Sequence, residues 1–237
     1  MSGDNFILKM LNVFKYKISF FMPIILLIGC SKDVKIPSED KINVTDIDGN
    51  IYHTVLIGKQ IWMVENLKTT RYRNGDPIQN IKIDTIWDKL TSGAYCDYNN
   101  LSLNGTTYGH LYNGYVVSEI RNICPTGWHM PSKSEWTILV NLFGGQDNAG
   151  GALRETGFAH WLSPNSGATN HSGFTALPGG AYGNIFTGIG ADTYWWSSTE
   201  VDSTAIFSWW VSNNSNLSSY NAYSKNSVGL SIRCIKD

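Results

Sequence analysis

Apolar positions recur with three different periods along the chain. Ile18–Gly29 (ISFFMPIILLIG) is an unbroken apolar run behind Lys9, Lys15 and Lys17, whereas Val44–Asn66 alternates polar and apolar around Asp48-Gly49 and Gly58-Lys59. Alternation across two such turns predicts a β-meander. After Ser132 the period changes: Trp136, Leu139, Val140 and Phe143 share one helical face until Gly144-Gly145, and Ser132 with Glu135 makes a capping box. A helix over residues 133–143 follows. A shorter helix is expected over Ala149–Glu155, despite its glycines. From Gly157 onward no helical period remains, and Trp195–Thr199, Ala205–Ser212 and Gly229–Ile235 read as strands of one sheet. Ala94–Tyr98 and His110–Val117 are further strands, and residues 67–92 are loop with a short turn at Thr85–Leu90.

Composition narrows the class. Of 237 residues 16% are charged and 13% aromatic, with nine Trp and 23 Gly, which suits a loop-rich α+β fold better than a helical bundle. A formal charge of −1 excludes a charge-driven nucleic-acid binder.

The N-terminal apolar run is too short for an ordinary membrane span and contains Pro23, so it reads as a secretory signal. Leu27-Ile28-Gly29-Cys30 resembles the bacterial lipobox, in which the Cys is lipidated and becomes the new N-terminus. The expected organisation is a lipoprotein signal peptide at 1–29, lipidated Cys30 with a flexible tether over 30–43, and one domain over 44–237. More than one acyl chain gives stable anchoring. Ser31-Lys32-Asp33 resembles the charged export signals of surface lipoproteins in Bacteroidetes-type bacteria, so the expectation is an outer-membrane protein facing outward, with a periplasm-facing orientation as the alternative.

With Cys30 lipidated, Cys96, Cys124 and Cys234 remain in an oxidising compartment, and three thiols allow one internal bridge. Cys124–Cys234 is the expected pair, because Cys124 precedes the clearest helix start and Cys234 lies in the last strand; Cys96 is then a buried thiol. No C-x-x-C occurs and the five His are scattered, so no metal site is expected. Asp46, Asp48 and Asn50 imitate a calcium loop, but the glycine is misplaced at 49 and Ile57 stands where a bidentate Glu belongs, so a hairpin turn is the better account. No Gly-x-Ser-x-Gly elbow surrounds a Ser, and Gly179-Gly180-Ala181-Tyr182-Gly183 lacks the Lys of a phosphate loop. Of a candidate carboxylate pair, Glu135 is used by the capping box and Glu155 faces solvent. Neither enzyme nor cofactor is expected.

Several blocks then carry a resemblance: GAYCDYNN (93–100), YGHLYNGY (108–115), ICPTGWHMPSKSEW (123–136), GFTALPGG (173–180), YWWSSTE (194–200) and VGLSIRCIKD (228–237). Together they resemble the Fibrobacter succinogenes major paralogous domain over roughly residues 44–237. The resemblance implies a C-type lectin-like fold, related to the formylglycine-generating enzyme group, with two helices packed on small twisted antiparallel sheets and long loops. The enzyme branch of that group uses a C-terminal cysteine pair, and here only Cys234 is present in the last third. Sugar-binding lectins of the group hold calcium with Glu-Pro-Asn and Trp-Asn-Asp segments. Ser163-Pro164-Asn165 and Trp196-Ser197-Ser198 lack the carboxylates.

Residues Ser212–Ser227 contain six Ser, five Asn and two Tyr in sixteen positions, next to Trp195-Trp196 and Trp209-Trp210. Tyr gives rigid amphipathic area and Ser and Asn give adaptable hydrogen bonds, the mixture that binding surfaces use. The candidate ligand residues are Trp196, Glu200, Trp210, Asn213, Asn214, Asn216, Tyr220, Asn221, Tyr223 and Lys225. The competing account is a solvated hairpin with Trp195, Trp196 and Trp209 in the core. The tail also resembles the diversified ends of retroelement variable proteins, whose altered codons start largely as Asn. The expectation is a lipid-anchored, non-catalytic module that binds a surface glycan or protein. The alternatives are a structural or fimbrial component of the envelope, and a polysaccharide hydrolase.

Overall fold

The computed structural model describes residues 43–82 and 84–237, so the signal, Cys30 and nearly all of the tether lie outside the described residues. The meander forms as two hairpins. β1 (Val44–Thr45) pairs with β2 (Ile51–Tyr52) across Asp48-Gly49, and β3 (Thr54–Ile57) with β4 (Gln60–Met63) across Gly58-Lys59. Asp46 shows why the first turn imitates a cation loop. Its Oδ1 accepts the backbone N–H groups of Asp48 and Asn50 at 2.9 Å each, and its Oδ2 accepts the Tyr52 hydroxyl at 2.6 Å. The carboxylate is occupied by its own hairpin.

β5 (Gln79–Asn80), β6 (Ala94–Cys96) and β7 (Leu111–Tyr112) make a three-stranded sheet, with a 3-10 turn over Asp84–Lys89 before β6. Two helical pieces here have no apolar period to announce them. The first, α1 (Ser102–Tyr108), buries only Gly105, where an added Cβ would lie 1.9 Å from Asp97 Oδ1. The second corrects the strand expected at His110–Val117. Only β7 is strand, and Gly114–Val117 is a single turn, α2, whose N-cap Asn113 accepts the Val116 N–H. The chain turns there because Gly114 sits against Lys225, whose Cα a Cβ would approach to 2.7 Å.

β8 (Trp128–His129) leads into α3 (Lys133–Asn141), which starts at the predicted capping box. Ser132 Oγ accepts from Glu135 N–H and the Glu135 carboxylate accepts from Ser132 N–H. The helix stops two residues earlier than expected, and Leu142–Phe143 belong to the closing turn. A short α4 (Ala149–Leu153) follows. β9 (Gly179–Gly183), β10 (Ile185–Ile189), β11 (Asp192–Glu200), β12 (Ala205–Ser212) and β13 (Ser218–Ser224) form the largest sheet, in the order β10-β9-β11-β12-β13. The architecture is thus mixed α and β, mostly sheet with few helices.

The strand expected over Gly229–Ile235 is mostly a connector. Single bridges join Gly229 to Tyr182, Leu230 to Tyr112 and Ser231 to Trp195, and only β14 (Ile235–Lys236) is a strand, lying between β4 and β8. A chain that touches three sheets in turn cannot keep one ladder. The expected Cys124–Cys234 disulfide is present and Cys96 is buried and unbridged.

Packing converges on two nodes. Trp136 of α3 lies 4.8 Å from Trp62, 5.5 Å from Trp195 and 6.2 Å from Trp209 between ring centroids. Aromatic pairs of this kind add roughly 0.5–1.5 kcal/mol each beyond area burial. The second node is Arg233, fully buried without a carboxylate on its guanidinium. Its Nε and Nη2 donate to Asn66 Oδ1 at 3.0 and 2.9 Å, its Nη1 donates to the Phe174 carbonyl, and Trp195 Nε1 reaches the same Asn66 oxygen at 2.8 Å. Burial pulls its pKa down to about 9, while the Glu65 charge acts the other way.

Removing one partner of a buried charge is costlier than losing the contact alone, because the charge is left unsatisfied. Asn66→Ala is therefore expected to destabilise the fold by about 3 kcal/mol or more, measured as the shift in urea unfolding. A loss below about 1 kcal/mol would show that Asn66 is dispensable.

Candidate functional site

Register decides what the C-terminal sheet presents. Tyr194 pairs with Trp210 and Trp210 with Ser219; Trp196 pairs with Ser208 and Ser208 with Asn221; Ile206 pairs with Tyr223. Residues directly opposite share a face and neighbours in sequence alternate. One face therefore carries Tyr194, Trp196, Trp210, Ser219, Asn221 and Tyr223, and the reverse carries Trp195, Phe207, Trp209, Tyr220 and Ala222.

The reverse face belongs to the core. Trp195 and Trp209 pack on Trp136, and Tyr220 lies 5.4 Å from Trp209, with Lys133 Nζ 3.8 Å above its ring and 4.0 Å above that of Phe207. On the front face Trp196 is fully buried and its Nε1 donates to the Tyr112 carbonyl at 2.7 Å. Beyond it the face opens. Tyr194 and Trp210 stack at 6.4 Å with planes 30° apart, both half-buried, beside half-buried Ser219 and Tyr223 and exposed Asn221. Burial pushes the Tyr194 phenol up to about 12, with Asp192 and Tyr223 adding to the effect, so it stays a neutral donor. The result is a ledge of rings, hydroxyls and one amide, with the Asp192 carboxylate beside Tyr194 on the same face.

The predicted ligand residues divide accordingly. Trp210, Asn221 and Tyr223 share the front face, where Tyr194 and Tyr223 also pack against the buried cluster of Trp196 and Ile206; Trp196 itself is wholly buried and Tyr220 points to the opposite side against Trp209, which is a correction. Glu200 and Lys225 form an ion pair at 2.7 Å, and Ser118 Oγ donates to the same carboxylate at 2.8 Å, so they bind each other at one end of the sheet. Those two bonds hold the Glu200 carboxyl below its usual range. Asn213 is buried and its Nδ2 donates to the Leu162 carbonyl at 3.0 Å. Asn216 is pinned through its carbonyl, which accepts the Gly150 N–H at 2.7 Å, and through Oδ1, which accepts from Arg154 at 3.4 Å. Arg154 also donates to the carbonyls of Ser166 and Ser215. These contacts explain the glycines of α4: a Cβ on Gly150 would lie 2.7 Å from the Leu217 carbonyl. The segment between β12 and β13 is an anchored loop, from which Asn214 alone among the predicted residues stands exposed without a contact beyond its own turn. Tyr194 was not among the predicted residues, although its two-residue spacing from Trp196 marks it as a same-face neighbour.

Other chemistry is already committed. A cleft of about 200 Å³ contains His129 and Ser198, yet His129 Nδ1 bonds Asp237 at 2.7 Å and Nε2 bonds Glu135 at 2.9 Å. A histidine held at both nitrogens cannot take a proton from a serine. Glu155 bonds His160 at 2.8 Å. Asn165 donates to the carbonyls of Glu155 and Gly157, a use for the Ser163-Pro164-Asn165 loop that involves no cation. Among the described residues no group of three His, Cys, Asp or Glu is arranged to hold a metal.

The chain belongs to the Fibrobacter succinogenes major domain family, whose model matches residues 55–236. Comparison with curated proteins and with solved structures returned no match.

Two expectations follow. Tyr220→Ala should cost about 1–3 kcal/mol and Asn221→Ala less than about 0.5 kcal/mol in chemical unfolding, although the two are adjacent; equal costs would contradict the register. The second concerns His129. Burial lowers its pKa, but the bonds to Asp237 and Glu135 outweigh that and leave it raised above 6.5; burial raises Glu135, but Ser132 and His129 outweigh that and leave it below 4.5. The His129 contribution is present below pH 6.5 and is lost as pH rises through its raised value, while that of Glu135 is lost as pH falls. The stability gap between the wild type and His129→Ala should be widest near about pH 5.5 and narrow by about pH 8. A gap that grows toward alkaline pH would contradict the assignment.

Proposed function

We propose that the protein is a non-catalytic binding module of C-type lectin-like fold that recognises a glycan through Tyr194, Trp210, Ser219, Asn221 and Tyr223. The observation that carries this reading is the half-exposed Tyr194–Trp210 stack on a face that also holds the Asn221 amide. Aromatic rings supply flat apolar area to the C–H face of a pyranose, and short polar groups beside them bond its hydroxyls. The five ledge side chains bear no charge and Asp192 stands at their border, so affinity should depend only weakly on ionic strength. The engaged nitrogens of His129 and the occupied carboxylates of Glu135 and Glu155 favour binding over hydrolysis. The lipobox-like Cys30 and the polar segment after it support a lipid-anchored protein of the outer membrane, held away from the bilayer by the tether.

The test is a glycan array probed with the purified chain. Trp210→Ala should weaken the strongest hit by about tenfold or more and Asn221→Ala by less, with Ser203→Ala as an unaffected control. A blank array, or hits that Trp210→Ala leaves intact, would move the ligand to another class or the site to another surface.

A further inference from the structure

β13 is an outer strand of its sheet, and register fixes where each of its backbone groups points. The Lys225 N–H donates to the Thr204 carbonyl at 2.8 Å, one step beyond the Ser224–Ala205 pair. Lys225–Thr204 is therefore a hydrogen-bonded pair, and such pairs alternate along an antiparallel ladder. Ser219, Asn221 and Tyr223 thus direct N–H and C=O at β12, whereas Ser218, Tyr220, Ala222 and Ser224 direct theirs away. Two contacts agree with this assignment. The Ala205 carbonyl accepts the Val201 N–H at 2.8 Å on the β11 side, and the outward Ser218 N–H donates to the Gln146 carbonyl at 2.6 Å.

Gln146 closes the edge at Ser218. From Tyr220 to Ser224 the outer row is open: among the described residues, both backbone groups of Tyr220 and Ala222, and the Ser224 N–H, meet no partner. The Ser224 carbonyl accepts the Ser227 N–H at 3.2 Å, in the turn where the strand ends. Outer strands are ordinarily blunted by Lys, Pro or a bulge. β13 reads Ser-Ser-Tyr-Asn-Ala-Tyr-Ser, with no charge, no Pro and no shift of register against β12.

We propose that this edge pairs antiparallel with the same edge of a second copy of the chain, about a two-fold axis at Ala222. The outward residues Tyr220 and Ser224 flank that residue evenly, although the Ser224 carbonyl is already taken by the Ser227 N–H and hydroxyl. An axis there sets Ala222 against Ala222 of the second copy and Tyr220 against its Ser224, so that the two Ala222 residues bond each other and each Ser224 N–H meets a Tyr220 carbonyl. The second strand then turns away after Ser224, before it reaches the place held by Gln146. An axis at Asn221 would instead drive Ser224 of the second copy into Gln146. Ala222 is exposed and small, Asn221 comes opposite Tyr223, and no charge lies on either strand to repel the other. The sheet continues from copy to copy, and both Trp210 ledges come to lie on the same side. This pairing does not depend on what the ledge binds.

Sedimentation velocity of the full chain in mild detergent is expected to show a reversible monomer–dimer equilibrium. Ala222→Pro deletes an outward N–H without removing a bond to β12, since proline is tolerated where the N–H faces out of the sheet. Ala222→Lys sets two ammonium groups against each other. Each should weaken dimerisation by about tenfold or more, with the thermal midpoint within about 2 °C of wild type for the Lys variant; Ser203→Lys, in the exposed β11–β12 turn, should leave it unchanged. A wild-type chain that stays monomeric at roughly 100 µM, or dimers indifferent to Ala222→Lys, would overturn the proposal. A monomer whose edge accepts only a foreign extended peptide would overturn it too. Glycan binding is read separately on the array, so the failure of either reading leaves the other standing.

Discussion

Among the described residues the Arg233 guanidinium meets no carboxylate, and it is buried from water, so its hydrogen bonds must come from neutral groups of the chain itself. Asn66 supplies one oxygen to Nε, Nη2 and the Trp195 indole, and Phe174 supplies a carbonyl to Nη1. That single requirement fixes the end of the β3–β4 hairpin, the Phe174 loop, β11 and the C-terminal connector at one point. The rest of the connector follows from it. Leu67 N–H donates to the Ile232 carbonyl, Met63 N–H to that of Cys234 and Trp196 N–H to that of Ser231. The disulfide at Cys234 then ties the same point to Cys124, just ahead of β8. The sheet that carries the ledge is held in place by a satisfied cation more than by any strand pairing of the final segment.

A second buried arginine works in a different way. Arg154 grips the loop between β12 and β13 through the Ser215 carbonyl and Asn216 Oδ1 and ties it to the Ser166 carbonyl of the segment after α4, and the glycines of α4 let the backbones come close enough for it to do so. Polar residues that look available in the one-dimensional chain are spent in this way on holding a loop still. A rigid loop at the root of β13 in turn fixes which way Trp210 and Asn221 face.

Much of the fold was legible in the chain. The capping box at Ser132 and the turns at Asp48-Gly49 and Gly58-Lys59 each express a local rule with little competition, and the pairing of Cys124 with Cys234, 110 residues apart, was legible because so few thiols compete for it. What was not legible had contrast too low or partners too distant. Ser, Asn and Tyr tolerate both burial and solvent, so Ser218–Ser224 shows no hydrophobic alternation to reveal its two faces; only the register with β12 separates Tyr220 from Asn221. The short helices α1 and α2 are set by close approaches that no apolar period announces, of Gly105 to Asp97 and of Gly114 to the distant Lys225. The segment Gly229–Ile235 has the composition of a strand, but its successive residues bridge different sheets. Of the predicted ligand residues, those on β12 and β13 with front-face parity stayed together, and of those in the loop Asn213 and Asn216 were claimed by Leu162, Gly150 and Arg154 while Asn214 was not.

The parity of β13 also bears on how such a surface changes over evolutionary time. Ser219, Asn221 and Tyr223 alternate with Tyr220, which packs on Trp209 and beneath Lys133. Substitution at every second position can therefore alter the chemistry of the front face while leaving the Trp136–Trp195–Trp209 cluster untouched. Codon changes at Asn213 or Asn216 have no such freedom, because each removes an anchor of the loop. Variation and stability are segregated within one short strand, and, on the proposed reading of the ledge as a binding face, specificity would drift there without a compensating change in that cluster.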